Sequence, residues 1–342
     1  MTLTFGSLFA GVGGFDMGFE KAGWECKFQV EWDKNCQQIL NKHWPDVPKW
    51  GDVSDVNGAE IPPVDCIIFG SPCQDLSVAG KRAGLEGERS GLFHEAVRII
   101  KEMRDATNGT YPRWTVWENV PGALSSNNGR DFGTVINEMA KAGAVLQEYA
   151  VLDAQYFGIP HRRRRVFLAS CFDPAIAKRC PDPLLPVRES LPGDTKKGRT
   201  KGQNTTDETS TSIEKHFYLT FDTQFGSNAN VFKDQIPTLK ATQQPPSVAY
   251  DEYNNSISEI HHSLRAGTKQ STGILESTMR VRRLTPLECE RLMGWPDDHT
   301  RYKADGTEQA ETHRYRQCGN GVATPVAQWV AEQIAKVEYD KR

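Results

Sequence analysis

Four short stretches of the 342-residue chain carry residue types that could do chemistry together. In SPCQDLS, Cys73 follows Pro72 directly. The proline ring fixes its own φ and restricts Ser71, which aims the thiol into a crevice instead of along a helix. WENVPG supplies Glu118, and FGIPHRRRRVFL supplies Arg162, Arg163, Arg164 and Arg165. A thiol and a carboxylate on neighbouring strand ends suit attack on an electron-poor ring whose nitrogen is protonated or hydrogen-bonded at the same time. Arginines entering a strand alternate faces, so Arg163 and Arg165 share one side and Arg162 and Arg164 the other. An inward pair would serve a phosphate backbone and a ring carbonyl. In FAGVGGFDMG, the missing side chains of Gly11, Gly13 and Gly14 would allow close approach of a nucleotide-like ligand. Each feature alone has a plainer reading: a packing cysteine, a capping carboxylate, a solvated charge run, a tight turn without a ligand.

The elements that must position these residues follow from periodicity. LTFGSLF, CKFQVEW, DCIIFG, TVWENV, LQEYAVL and VFLAS read as strands; Phe15–Ala22, Lys34–His43, Leu92–Met103 and Phe132–Ala142 read as helices. Strands separated by helices imply right-handed crossovers and a mainly parallel, doubly wound α/β sheet. Such a sheet binds ligands at its carboxyl edge, where Cys73, Glu118, Glu31 after the second strand and Asp52 in GDVSDV would all fall. A carboxylate at Glu31 could accept ribose hydroxyls. No GxxxxGK[ST] pattern is present, which disfavours a nucleoside triphosphate. After Phe172 the texture becomes irregular, with Lys196–Ser212 expected as a mobile surface loop and short β-like pieces such as HFYLTFDTQF. Helical period resumes at LTPLECERLMGW, with Thr285 as N-cap and Glu288 three residues on, and Val322–Val337 reads as a closing helix.

Composition bounds the partners. A net charge of −3, with 38% hydrophobic and 25% charged residues, describes an ordinary globular chain and not a uniformly basic nucleic-acid coat. Polyanion contact must come from local clusters: the four arginines at 162–165, and Arg280 with Arg282 and Arg283. The eight cysteines are scattered without a Cys-x-x-Cys pair, so neither zinc nor a disulfide framework is expected. No apolar run reaches the ~20 residues of a membrane span and no signal-peptide layout opens the chain, so an intracellular, cytoplasmic location is the default.

These stretches, in this order, resemble the DNA cytosine-5 methyltransferase family. FAGVGG looks like its cofactor loop, SPCQDLS its catalytic loop, WENVPG its Glu-Asn-Val motif and IPHRRRRVF its Gln-x-Arg-x-Arg motif. RRLTPLECERLMGWP looks like the motif supporting target recognition, and QCGNGVATPVAQWV the C-terminal motif that returns to the cofactor pocket. The resemblance implies a Rossmann-like catalytic and cofactor-binding domain over residues 1–175. It further implies a smaller, irregular β-rich target-recognition domain over 176–311, and a segment over 312–342 that returns to the first. It implies S-adenosyl-L-methionine as donor and S-adenosyl-L-homocysteine as product. The donor would be held by Phe9, Gly11, Val12, Gly14, Glu31, Trp32, Asp52, Val53, Pro72, Leu92, Asn320 and Val322. It implies that Cys73 adds to C6 of a flipped cytosine, that Glu118 contacts N3 and the exocyclic amine, that Arg165 meets the O2 side, and that Arg163 meets the loop or backbone.

The chemistry accounts for these residue types. Cytosine C5 is a poor nucleophile, but thiolate addition at C6 with proton donation at N3 makes an enamine whose C5 can attack a sulfonium methyl. Loss of the C5 proton then restores aromaticity and releases Cys73. The base must leave the duplex, at a cost of a few kcal/mol. Ser77, Lys81, Arg82 and Arg89, in a glycine-hinged loop after Cys73, would touch the DNA backbone, and Thr238 would belong to the recognition region. Two positions depart from the family: His161 stands where Gln is usual, which puts a structural hydrogen bond in doubt, and Gly321 stands where Ser is frequent. The implied partner is double-stranded DNA, with a cognate restriction endonuclease as a possible companion and a monomer as the expected state. Two other readings stay open: the same chemistry on tRNA, against which the chain lacks a Cys-Phe-Thr tripeptide, and a non-catalytic DNA-binding protein retaining the fold.

Overall fold

The computed structural model describes residues 2–71, 91–186 and 284–340, and the backbone of 219–221, 231–233, 247–251 and 279–283. The first part runs β1 (Thr4–Leu8), α1 (Gly14–Lys21), β2 (Glu25–Val30), α2 (Lys34–His43), β3 (Lys49–Trp50), β4 (Cys66–Phe69), α3 (Gly91–Ala106), β5 (Trp114–Asn119), α4 (Arg130–Lys141), β6 (Leu146–Asp153), β7 (Arg164–Cys171) and the single turn α5 (Pro174–Ala177). Its seven strands form one sheet in the order β3-β2-β1-β4-β5-β7-β6. All pairings are parallel except those of β7, which lies antiparallel between β5 and β6. The expected doubly wound α/β sheet is thus present, with each of the six strands read from the sequence inside it.

Alternating side chains feed two cores. In β4, Cys66 and Ile68 face the layer containing Phe15, Phe19, Ile39 and Val330, whereas Ile67 and Phe69 face Phe93, Ile99 and Met139. Helices cover both faces because a mainly parallel sheet has no face left for water. α3 buries Phe93, Val97, Ile100 and Met103 at helical spacing, each contributing about 1.5–3 kcal/mol relative to exposure. α2 begins where Asp33 accepts from the Asn35 and Cys36 amides.

β8 (Leu219–Phe221), β9 (Val231–Lys233), β10 (Ser247–Asp251) and β11 (Met279–Arg283) form a second, antiparallel sheet in the order β11-β10-β8-β9. Arg280, Arg282 and Arg283 lie on β11. The chain then forms α6 (Pro286–Leu292), α7 (Glu311–Asn320) and α8 (Thr324–Tyr339). α6 opens with the capping box anticipated at Thr285 and Glu288. α8 packs on α1, where a Cβ on Gly18 would come within 2.8 Å of the Gln328 amide. The expected loop at Lys196–Ser212 and the expected site residues Pro72, Cys73, Ser77, Lys81, Arg82, Arg89 and Thr238 lie outside the described residues.

Candidate active site

From β1 the chain winds outward through β2 and β3, then crosses back to β4 on the other side. That reversal opens a crevice at the carboxyl ends of β1 and β4, the place where doubly wound sheets bind ligands. The loop after β1 (residues 9–13), Glu31 after β2, Asp52 after β3, Gly70–Ser71 after β4 and Glu118 on β5 all reach this edge. β7 runs the other way, so its first residues, including Arg165, arrive at the same edge.

The glycine loop turns on left-handed backbone at Phe9 (φ 56°), Gly11 (φ 58°) and Gly13 (φ 81°). The three glycines have different reasons to be glycine, which corrects the expectation that all clear space for a ligand. A Cβ on Gly13 would fall within the Trp44 indole. One on Gly14 would lie 2.6 Å from the Val322 carbonyl oxygen and 2.9 Å from Trp295 Nε1, so both make room for protein. Gly11 alone of the three has nothing within 4 Å and faces open space. Its amide donates to Glu31 Oε2 at 2.7 Å, and Glu31 Oε1 accepts from the Asp33 amide at 2.7 Å. Burial raises the Glu31 carboxyl above its ordinary range, and these two amides oppose the shift. Each of its oxygens keeps a second lone pair for a ribose hydroxyl.

Trp32, next in the chain, is 74% exposed, a large free aromatic face beside the pocket. Asp52 accepts from the amide and hydroxyl of Ser54, which lowers its pKa and places an ionised carboxylate ahead of buried Val53. Leu92 is half-buried at the start of α3. Asn320 ends α7 at the surface, and Val322 is buried. An open glycine, a carboxylate after β2, an exposed ring and a second carboxylate are the donor set a nucleoside-bearing ligand requires, so these residues fit S-adenosyl-L-methionine.

Glu118 is buried at the end of β5. Arg165 Nε lies 3.0 Å from its Oε1, yet that oxygen has no aligned hydrogen-bond donor among the described residues, so the contact is an ion pair that leaves a lone pair unmet. Burial raises the Glu118 carboxyl above its ordinary range, while Arg165 and then Arg163 pull it back. A Cβ on Gly70 would lie 3.2 Å from Glu118 Oε2, so the carboxylate rests against the chain that leads through Ser71 to Pro72 and Cys73. Trp117 Nε1–H donates to Ser71 Oγ at 3.1 Å and ties that chain to β5.

The arginines alternate as expected, with Arg162 and Arg164 exposed and Arg163 and Arg165 directed inward. Arg163, expected to meet the loop or backbone, is buried at 2% exposure, away from a surface phosphate, and the loop after Cys73 lies outside the described residues. Its guanidinium donates to the carbonyls of Gly319 (3.1 Å) and Gly321 (2.6 Å), holding the C-terminal motif against the site. The two family departures also find physical reasons. His161 is fully buried and its Nδ1 bonds the Leu292 carbonyl at 3.0 Å, so a hydrogen bond stands where one was in doubt. A Cβ on Gly321 would lie 2.6 Å from Trp295 Cη2, so the indole occupies the room a serine would need.

Sequence reasoning missed Trp44, Trp295 and His299, which carry the loop from below, and it missed α7. Arg314 and Gln317 of α7 are buried in a polar network: Arg314 pairs with buried Glu290 at 3.0 Å, and Gln317 with Gln309 at 2.7 Å. A helix whose inward face is polar leaves no apolar period to detect.

A sequence profile of the C-5 cytosine-specific DNA methylases matches residues 3–336. The Type II methyltransferase M.BsuFI of Bacillus subtilis is 31% identical over 336 residues, covering 96% of this chain and 71% of that protein. M.HhaI of Haemophilus parahaemolyticus is 30% identical over 341 residues, covering 97% and 94%. Among solved structures, the S. pombe Dnmt2 methyltransferase superposes with a TM-score of 0.62 at 16% identity, covering 98% of this chain and all of that one, a likeness of fold. With profile, relatives and site geometry in agreement, this chain belongs to the C-5 cytosine-specific DNA methylase family.

Proposed function

We propose that Cys73 is the nucleophile of the C5-methylation of cytosine in double-stranded DNA and that Glu118, held by Arg165, activates the base. The observation that carries this reading is the buried Glu118 carboxyl, paired to Arg165 yet with Oε1 unmet, against the backbone leading to Cys73. Cys73 adds to C6 of the extruded cytosine while Glu118 shares a proton with N3 and accepts from the exocyclic amine. Arg165 neutralises the carboxylate and faces the O2 side, and Arg163 acts from behind by fixing the 319–321 segment. S-adenosyl-L-methionine, when bound, supplies an electrophilic methyl carbon. Gly11, Glu31, Trp32, Asp52 and Val53 would hold it, with Phe9, Val12, Gly14, Pro72, Leu92, Asn320 and Val322 completing the pocket. The other cysteines support the choice of Cys73. The seven described are buried or half-buried, and burial pushes each thiol up, Cys180 to about 11 and Cys171 to about 12.

Residues 176–311 would form the unit that reads the DNA and 312–342 the return to the donor pocket. Ser77, Lys81, Arg82, Arg89 and Thr238, with exposed Arg164, would contact DNA. The protein would act as a monomer in the bacterial cytoplasm, beside a cognate restriction endonuclease; among the described residues no helix is long and apolar enough to cross a membrane. Transfer of tritiated methyl groups to unmethylated duplex DNA, with bisulfite sequencing of the product, tests the reading. Label at one sequence context, lost in Cys73→Ser and absent with tRNA, is expected. Methyl transfer by Cys73→Ser at the parent rate would overturn it.

A further inference from the structure

The segment after α6 touches the glycine loop through a histidine with no part in the chemistry so far. His299 is 2% exposed, and its Nε2 lies 2.7 Å from the Val12 carbonyl oxygen. Its ring stacks on His43 with centroids 4.2 Å apart and planes at 15°, and His43 Nε2 in turn lies 2.8 Å from the His299 carbonyl oxygen. Trp44 and Trp295 close the remaining sides, at 6.3 and 5.6 Å between centroids. A carbonyl oxygen can only accept, so both Nε2 atoms must carry hydrogen. His299 Nδ1 is buried with no partner among the described residues, as the bare nitrogen of a neutral Nε2–H ring would be. Burial supports this state by holding the His299 pKa down to about 3.

The consequence falls on one peptide group. Gly11 N–H is held by Glu31 and the Val12 carbonyl by His299, so the peptide joining Gly11 to Val12 is gripped on both sides. Among the described residues neither the Gly11 carbonyl nor the Val12 N–H of that peptide makes a hydrogen bond within the chain, and it borders the open face of Gly11. A backbone polar group without a partner, fixed in direction at a pocket, is a ligand contact in waiting.

We propose that His299, seated on His43, is a positioning residue for the methyl donor: opposite Glu31, it orients the Gly11–Val12 peptide that meets the donor. The proposal rests on the reading of residues 9–14 as the donor loop. It couples the segment that follows the recognition sheet to the donor pocket through one side chain.

Calorimetric titration of the full-length protein with S-adenosyl-L-homocysteine, alongside steady-state kinetics, tests it. His299→Phe keeps the ring stack and deletes the donor hydrogen. It should weaken binding and raise the donor KM about 5–10-fold, the worth of one hydrogen bond of ~1 kcal/mol, with kcat at saturating donor within about twofold. His299→Gln, which can still present an N–H, should recover part of the affinity. Nitrogen NMR of the parent should show His299 protonated on Nε2 alone. Parent-like donor affinity in His299→Phe, a fall in kcat matching the rise in KM, or an Nδ1–H ring would overturn the proposal. Were His299→Phe to unfold, nitrogen NMR of the parent still decides: an Nε2–H ring whose signal shifts when S-adenosyl-L-homocysteine binds supports the proposal, and an Nδ1–H ring or an unmoved signal sinks it. Gly11→Val separates the two levels. If it leaves donor binding intact, the loop assignment itself falls; if it abolishes binding while His299→Phe does not, only the role of His299 falls.

Discussion

Installing the serine frequent in the family at Gly321 should damage this particular protein. A Cβ at residue 321 lies 2.6 Å from Trp295 Cη2 and 3.0 Å from the Gln317 carbonyl oxygen, and Gln317 belongs to a buried network that cannot yield. The indole must therefore move, although its Nε1–H is bonded to the Val322 carbonyl at 3.1 Å and its ring abuts Gly14. Overpacking of this kind costs about 1–3 kcal/mol. Losing the indole hydrogen bond adds about 1 kcal/mol, so Gly321→Ser should cost about 2–4 kcal/mol, a large part of a typical folding stability. Trp295→Phe should also destabilise, but its smaller ring leaves room for serine. In that background the same Gly321→Ser change should cost less by about 1–2 kcal/mol. Urea unfolding of the four proteins measures the coupling, provided the slopes agree. Donor titration should show the singly substituted Gly321→Ser binding more weakly, because Trp295 also backs Gly14. A parent-like urea midpoint for Gly321→Ser, or equal costs in both backgrounds, would refute the steric argument.

Three further outcomes follow from the geometry. Glu118→Gln keeps the shape but lacks the acidic proton and the pair with Arg165. Single-turnover methyl transfer should fall about 10²–10⁴-fold with donor affinity unchanged, and a loss below tenfold would remove Glu118 from proton transfer. Glu338 accepts from Arg113 at 2.6 Å and Trp114 Nε1 at 2.8 Å, tying α8 to the edge of the sheet opposite the site. Glu338→Gln should lower stability by about 1–3 kcal/mol without changing kcat, as read by urea unfolding and methyl transfer. The third concerns pH. Burial holds His161 and His299 near 3, below the ordinary 6.5, so their contribution is complete above pH 6.5 and is lost as pH falls. Burial lifts Asp16 from 3.8 to about 7, so its contribution is present below pH 3.8 and is lost as pH rises toward 7. From pH 4.5 to 6 the unfolded chain gains two protons to the native state's one. These three groups alone contribute a rise of about 1.4 kcal/mol per pH unit, and Asp16→Asn should steepen the measured slope by about the same amount. Denaturant midpoints of the parent and Asp16→Asn across the interval isolate this residue, and parallel slopes would refute the assignment.

Local physics made most of the scaffold legible. Strand alternation, helical period and the Thr285 capping box depend on residues a few positions apart, and they placed α2 at residues 34–43 and all six longer strands of the main sheet. The same locality carried Glu118 to a carboxyl edge, because a residue ending a parallel strand in a doubly wound sheet has nowhere else to go, whereas Arg165, which opens a strand, reaches that edge only because β7 runs antiparallel. α7 escaped because its buried face is built from Arg314 and Gln317, which read as surface residues until their partners are known.

What the sequence by itself determined is the chemistry: a cysteine, a carboxylate and a donor loop, in an order that resembles one enzyme family. Only the tertiary structure decided why particular residues stand where they do. Gly13 and Gly14 yield to two indoles while Gly11 faces open space, Arg163 clamps the C-terminal motif, and His299 grips Val12 across nearly the whole length of the chain. Such contacts are set by which surfaces the fold presses together. Spacing along the chain holds no record of that distance in space.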